Sequence, residues 1–402
     1  MLSTLVFLIL VEALILCGAK FAGKGFIENP FDYKSTMAVR GILPVCIILH
    51  HVSQTNPFQT AGELSMFVNI GFLFVGLFFF FSGYGLYKSY ERKENYLDGF
   101  FSKRILTVLI PLLVMNVIYF AFSFHTEPQM PSAKRFLSLT GITLANSQAW
   151  YVIVAIIMYM LFYFSFKFIS NKKISLAIIF AASLILVSLF IFGGHFFWWV
   201  KDYGSYWWLT EEGWKDGKWW RKITCWWFQG EWWVNSLITF FCGIVVAMNE
   251  KKIIEFFKKL YWVKFALSLA VIIFVHYLWV EKLGNKGINY WDEFDFGKPM
   301  IDHKAILWCI QTVEVIFFCF FVYMLMLKVE FGNPVIKFLG NYSLELYLMQ
   351  GLGLTFFAEI FFKKNITENT RFYFAVAVFA STFALALAFK FICSKILSAI
   401  RK

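Results

Sequence analysis

The sequence predicts an all-α, polytopic transmembrane helical bundle, with a ten-helix core and one extra N-terminal helix. Three observations predict it. Of 402 residues, 60% are apolar and only 15% are charged, against about 25% charged in an ordinary soluble domain. The apolar residues gather in runs long enough to cross a hydrocarbon core of ~30 Å. The lysines and arginines between those runs fall in alternate loops, the pattern that orients a membrane protein. The net charge of +12 is therefore read as loop lysines and arginines that set membrane orientation; membrane lipid is an expected partner and nucleic acid is not.

Leu2–Cys17 is the first apolar run. It has no basic segment before it and no small-residue cleavage site after it, so it is expected to be an uncleaved helix, with Glu12 as a packing residue. Ten further spans are expected at Met37–Val52, Met66–Tyr87, Ile105–Phe124, Trp150–Phe168, Ile174–Phe192, Trp232–Met248, Tyr261–Val280, Ala305–Leu327, Tyr342–Phe362 and Phe372–Leu397. Each is an apolar run bounded by charged or turn-forming residues. Residues 1–36 are thus read as an additional transmembrane helix with a cytoplasmic loop. Residues 37–402 are read as the main membrane domain, with a Trp-rich extracytoplasmic loop at 194–231.

Loop charge sets the orientation. Lys20, Lys24 and Lys34 form one basic loop, and Lys88, Arg92, Lys93, Lys103 and Arg104 the next. Lys172 and Lys173, then Lys251, Lys252, Lys258 and Lys259, then Lys328 and Lys337 follow in alternate loops, and the chain ends Arg401-Lys402. The intervening loop at 53–65 has neither lysine nor arginine. The basic set is expected on the cytoplasmic side, with the N-terminus outside and the C-terminus in the cytoplasm. Lys134, Arg135, Lys363 and Lys364 run against this pattern without reversing it.

The seven cysteines lie mostly inside apolar runs. They form no disulfide framework and no metal-ligand spacing, and no metal is expected. Residues 198–233 hold eleven tryptophans with acidic and basic residues between them. Two readings stand for this loop. One is a belt at the membrane interface, where tryptophan is favoured. The other is a platform on which sugar rings stack their C–H faces. The aromatic and acidic outer loop at 281–303 extends the same surface. No internal repeat of the kind common in secondary transporters is visible.

The chemistry-bearing stretch is Arg40-Gly-Ile-Leu-Pro-Val-Cys-Ile-Ile-Leu-His50-His51. Ionisable side chains within an apolar span are costly, and by default they mark a functional site. Arg40 and His51 are eleven positions apart, roughly three turns, so both project from one helix face about 16 Å apart, with His50 offset by about 80°. A histidine can take a hydroxyl proton as the oxygen attacks an electrophile. A pair hydrogen-bonded within the bundle is the plain alternative. Arg40 suits an anion such as a phosphate, the alternative being an anchor that snorkels to the interface. Pro44 between them is expected to kink or loosen the helix and release backbone carbonyls. Glu314, beside Gln311 at helical spacing, is an intramembrane carboxylate placed to orient or charge-match a histidine. Glu345, His276 and Lys264 lie nearer span ends and are weaker candidates.

Arg40-Gly41 followed by His51 resembles the first core helix of the acyltransferase 3 family, integral-membrane O-acyltransferases that modify sugars and glycans. The resemblance continues in order through Phe78-Phe-Phe-Phe-Ser82-Gly83-Tyr84, the basic turn Phe100-Phe-Ser-Lys103-Arg104 leading to Pro111, Ala149-Trp150-Tyr151, and Gly340-Asn341-Tyr342-Ser343 through Tyr347 to Gln350. It covers most of 36–397. Two positions depart from the family pattern. Thr107 stands where a second arginine is common, and Gln350 where a histidine is usual. Glutamine donates and accepts hydrogen bonds but shuttles no proton at neutral pH.

The resemblance implies a bacterial inner-membrane O-acyltransferase, acting as an O-acetyltransferase on an extracytoplasmic or lipid-linked glycan. Acetyl-CoA or another acyl-CoA would be the co-substrate, with no permanently bound cofactor. Arg40, Lys103 and Arg104 would hold the phosphate-bearing end of the donor. His51, with His50 and Glu314, would carry the catalysis. Ser82, Trp150, Tyr342, Ser343 and Gln350 would position substrate. A proton-coupled transporter using His50, His51 and Glu314 as a relay, and a glycan-binding membrane protein, stand as the competing classes. The membrane-bound O-acyltransferases, which also use an intramembrane histidine, lack this Arg-to-His spacing and rank behind.

Overall fold

A computed structural model describes residues 2–55, 58, 64–126, 128, 132–140, 146–193, 233–288, 300–363 and 365–401. The Trp-rich loop at 194–231 and residues 289–299 lie outside the described residues. The helices are α1 (Leu2–Leu16), α2 (Tyr33–Ser53), α3 (Gly71–Arg92), α4 (Leu106–Thr126), α5 (Ser132–Thr140), α6 (Trp150–Phe168), α7 (Lys172–Gly193), α8 (Ile238–Met248) and α9 (Glu250–Lys258). They continue with α10 (Tyr261–Tyr277), α11 (Ile301–Lys328), α12 (Pro334–Asn341), α13 (Ser343–Phe356) and α14 (Arg371–Ile400). The only sheet among the described residues is a two-residue antiparallel pair, β1 (Lys20–Phe21) with β2 (Val329–Glu330).

All eleven expected segments are helical, so the chain is a polytopic helical bundle. Among the described residues, nine helices are long and apolar enough to cross a membrane. The two that fall short are α1 and α8. With 15 residues, α1 reaches only about 22 Å. The stretch expected to be helical from Trp232 begins its α-helix at Ile238. Three spans contain a π-helical turn, at Phe101–Ile105, Leu278–Leu283 and Phe357–Phe361.

The chain divides into two compact units, one of residues 1–78 with 319–402 and the other of residues 79–318. In the first unit, Ile48, Leu49 and Val52 of α2 pack with Leu354 of α13, Phe374, Ala375 and Val378 of α14, and Leu8 of α1. The N-terminal helix is thus seated in the same core as the later spans. Its end is fastened by Asn333, whose Nδ2 donates to the carbonyls of Leu14 (2.7 Å) and Cys17 (3.0 Å). The Oδ1 of the same side chain caps α12 by accepting from the Ile336 amide at 2.8 Å. Lys328 donates to the carbonyls of Gly23 and Gly25 at 3.0 and 2.6 Å, tying down the segment before α2.

Close helix crossings in each unit are made by glycine. A Cβ on Gly41 would overlap the Ile336 carbonyl, and one on Gly340 the Met37 carbonyl. In the second unit a Cβ on Gly83 would overlap the Phe240 carbonyl, and one on Gly243 the Phe80 carbonyl. Small residues of this kind let membrane helices approach until their backbones touch. Gly85, two positions along α3 from Gly83, has open space around it.

Gly83→Ala is therefore expected to destabilise the detergent-solubilised protein by about 1–3 kcal/mol. Gly85→Ala should leave it unchanged or raise its stability by up to ~1 kcal/mol through helix propensity. Thermal unfolding of the two variants side by side checks the crossing.

Candidate active site

The site is built on α2. Asp32 caps this helix by accepting from the Ser35 amide at 2.7 Å. The helix continues through Pro44 from Tyr33 to Ser53. Pro44 nevertheless lacks the N–H that would reach back four residues to the Arg40 carbonyl. Arg40 is held along its own helix: its Nε donates to the Thr36 carbonyl at 3.3 Å, and its guanidinium carbon lies 5.8 Å from the Tyr33 ring centroid.

At the other end, His50 Nδ1 lies 2.7 Å from the Phe67 carbonyl. A carbonyl can only accept, so Nδ1 carries the proton. Gly71 lies against that ring, where a Cβ would overlap the imidazole. His51 Nδ1 lies 3.1 Å from Gln54 Oε1, which again only accepts. Both neutral imidazoles therefore present Nε2 as their basic nitrogen. The two rings stand 4.9 Å apart at 54°.

The helix hairpin of α12 and α13 flanks α2. The Gly41–Gly340 crossing sets its lower contact. Leu354, packed with Ile48, Leu49 and Val52, sets its upper one, so α13 climbs alongside α2. One turn before Leu354 on α13, Gln350 is fully buried. Neither its amide oxygen nor its amide nitrogen has a hydrogen-bond partner among the described residues. Tyr342 is engaged in packing. Its ring lies 4.6 Å from that of Phe338, and the Lys390 ammonium stands 4.3 Å from its centroid. Lys390 also donates to the Asn341 carbonyl and pairs with Glu345 at 3.7 Å. Ser343 opens α13 and is half-buried.

The second unit holds the remaining candidates. Ser82 Oγ sits 3.4 Å from the Tyr151 hydroxyl and accepts from the Tyr159 hydroxyl at 3.3 Å. Trp150 opens α6 directly after a turn capped by Asn146, and its ring lies edge-on to Tyr151 at 6.4 Å. Lys103 is exposed. Arg104 is committed to neighbours: Nε donates to the Tyr96 hydroxyl at 2.8 Å and Nη2 to Ser89 Oγ at 3.3 Å. Burial pushes the Tyr96 phenol above its ordinary value, with the Arg104 charge acting against that shift. Thr107 turns its hydroxyl back onto the carbonyls of Lys103 and Arg104.

Glu314 does meet a histidine, and it is His276. The fully buried carboxylate accepts from His276 Nδ1 at 2.9 Å and from Trp279 Nε1 at 2.6 Å. One turn away, Gln311 accepts from Asn235 Nδ2 at 3.0 Å. Sequence reasoning missed Gln54, whose three-residue spacing from His51 on a helix was the available signal. It also underweighted His276, which stands 38 residues from Glu314 and gives no local sign of that contact.

A family model described as an acyltransferase domain matches residues 36–391. The chain belongs to the acyltransferase 3 family. Searches of curated proteins and of solved structures returned no match. The protein is thus a multi-pass membrane acyltransferase, and the matched region begins within the first turn of α2. Helix α1 and strand β1 precede the matched region, although Leu8 and Asn333 tie them into the core of the first unit.

Replacing Glu314 by leucine leaves the His276 and Trp279 N–H groups without their acceptor, at a cost on the order of 1–3 kcal/mol each. Glu314→Gln retains an acceptor oxygen. The leucine variant is expected to unfold at a clearly lower temperature than the glutamine variant in a thermal-shift measurement.

Proposed function

We propose that this acyltransferase moves an acetyl or other acyl group from a cytoplasmic acyl-CoA to a hydroxyl of an extracytoplasmic or lipid-linked glycan, in the bacterial inner membrane. The observation that carries the chemistry is the tautomer of His51. With Nδ1–H held by Gln54, Nε2 is the atom available to take the proton of the acceptor hydroxyl. The acceptor oxygen attacks the thioester carbonyl as that proton passes to Nε2. The C–S bond then breaks, and the departing thiolate recovers the proton from the imidazolium. His50 stands beside it with the same basic nitrogen, fixed by the Phe67 carbonyl.

Arg40, at the opposite end of α2, is assigned to a donor phosphate, for which a permanently charged guanidinium is suited. Gln350 is assigned to orienting the substrate, because its buried amide can donate and accept together. Lys103 and Arg104 are the donor-side cations of the second unit, and Glu314 there supports the histidine it holds. Ser82, between two phenols, and Trp150 are kept as substrate-positioning groups. The contacts of Tyr342 and the placement of Ser343 support packing more than substrate contact. The orientation, with a cytoplasmic C-terminus, rests on the alternation of basic loops.

Purified protein supplied with acetyl-CoA and a glycan acceptor is expected to form an ester. His51→Ala should lower kcat by about 10²–10⁴-fold, the usual worth of a positioned general base. Arg40→Ala should chiefly raise KM for the donor. Full turnover in the His51 variant removes that residue from its role, and an unchanged donor KM removes Arg40 from phosphate binding.

A further inference from the structure

The second unit contains a hollow of about 390 Å³ beside the basic turn that precedes α4, lined in part by Tyr90, Lys93, Tyr96, Phe166, Lys167 and Lys172. That volume falls within the range of small-molecule sites, roughly 300–1,000 Å³. We infer that this hollow is a binding site for a phosphorylated purine nucleotide, with Tyr90 as its stacking wall and Lys93 and Lys172 as its phosphate-binding cations.

Charge favours a phosphate. Both carboxylates of the lining are engaged by lysines: Asp98 pairs with Lys167 at 2.9 Å, and Glu91 pairs at 2.9 Å with Lys88, which also bridges to Glu250 at 2.9 Å. Lys93 and Lys172 are exposed, and neither has a carboxylate within ion-pair distance among the described residues. The hollow therefore presents two exposed ammonium groups, those of Lys93 and Lys172, outside these ion pairs. Lys172 lies over the rings of Tyr90 (5.8 Å) and Tyr87 (5.9 Å), so a cation and an aromatic plate share one wall.

Shape favours a base attached to that phosphate. Tyr90 is braced by Phe166 at 5.2 Å and by Phe162 at 6.2 Å, the latter nearly perpendicular. A ring held in this way offers a stable surface on which a base can stack, an interaction open to any nucleobase because each has a π-face. Tyr96 forms another part of the wall and is pinned through its hydroxyl by Arg104. The turn between these aromatics is tight: Asn95 adopts φ 50° and Gly99 φ 71°, and the Asp98 amide donates to the Asn95 carbonyl at 2.9 Å. The wall is thus built before any ligand arrives. A phospholipid headgroup offers the same phosphate but no planar base for Tyr90.

The choice of a purine nucleotide rests on the acyl-CoA reading above, since that donor ends in one; the cationic hollow itself does not depend on it. The test uses the full chain in nanodiscs of neutral lipid. Binding of adenosine 3′,5′-bisphosphate is measured by calorimetry, and turnover is measured with acetyl-CoA and with acetyl-pantetheine, which lacks the nucleotide. The double variant Lys93→Gln/Lys172→Gln is expected to weaken bisphosphate binding by roughly tenfold or more and to raise KM for acetyl-CoA in step. KM for acetyl-pantetheine should stay unchanged, and Tyr90→Leu should weaken the bisphosphate more than Tyr90→Phe. Bisphosphate binding unaffected by the double variant overturns the inference. So does an equal rise in KM for both donors, or binding that appears only with anionic lipid, which would assign the hollow to a headgroup. If neither donor is turned over, the acyl-transfer reading fails while the bisphosphate titration still decides the fate of the hollow.

Discussion

Two backbone-to-backbone helix crossings determine where the polar residues of this protein can stand. In lipid there is no hydrophobic drive to press one apolar helix onto another, so association relies on close packing and hydrogen bonds. At Gly41–Gly340 and at Gly83–Gly243 the missing side chains allow a neighbouring carbonyl to occupy the space a Cβ would fill. Arg40, Ser82 and Tyr342 are each one or two residues from such a glycine. Their positions follow from contacts that their own side chains do not make. A larger residue at one of these glycines would move a functional group without touching it.

This changes how the family-like segments should be understood. Arg40-Gly41, Ser82-Gly83 and Gly340-Asn341-Tyr342 each join a glycine that sets a helix crossing to a polar residue that the crossing positions. The glycine half of each segment is explained by geometry in this chain. Tyr342, packed against Phe338 with its ring tilted and covered by Lys390, belongs largely to the packing half as well. The polar residues left for chemistry are fewer than the segments taken at face value would give.

The fold was legible because its signals are local. Apolar run length and basic loops located every span, and the main shifts of boundary have local causes. Helix α3 begins at Gly71 because a short 3-10 turn at Ser65–Phe67 uses the residues before it. That Arg40 and His51 lie on one helix was legible for the same reason. What the sequence hid was tertiary. The Phe67 carbonyl that fixes His50, the tyrosines that bracket Ser82, and the pairing of His276 with Glu314 all join residues far apart in the chain. Periodicity carries no information about such contacts. Pro44 removes one backbone hydrogen bond from α2, and the helix continues through it.

Gln350 bears most directly on how the proton is handled. A buried amide with both polar atoms unpaired is expensive in an apolar interior, and an apolar residue of similar size would avoid that cost. A polar group of the substrate that paired with it during the proposed reaction would remove that cost. An amide has no accessible protonation change near neutral pH, so Gln350 can hold such a group but cannot exchange a proton with it. In the proposed reaction, the proton is then taken by an imidazole of α2. The hydrogen bonds there leave Nε2 as the basic atom on both rings, and Gln54 and Phe67 decide which way each ring presents it. On the proposed reading, orientation of substrate and transfer of the proton fall to different helices, α13 and α2, the latter crossed closely by α12 at Gly41 and Gly340.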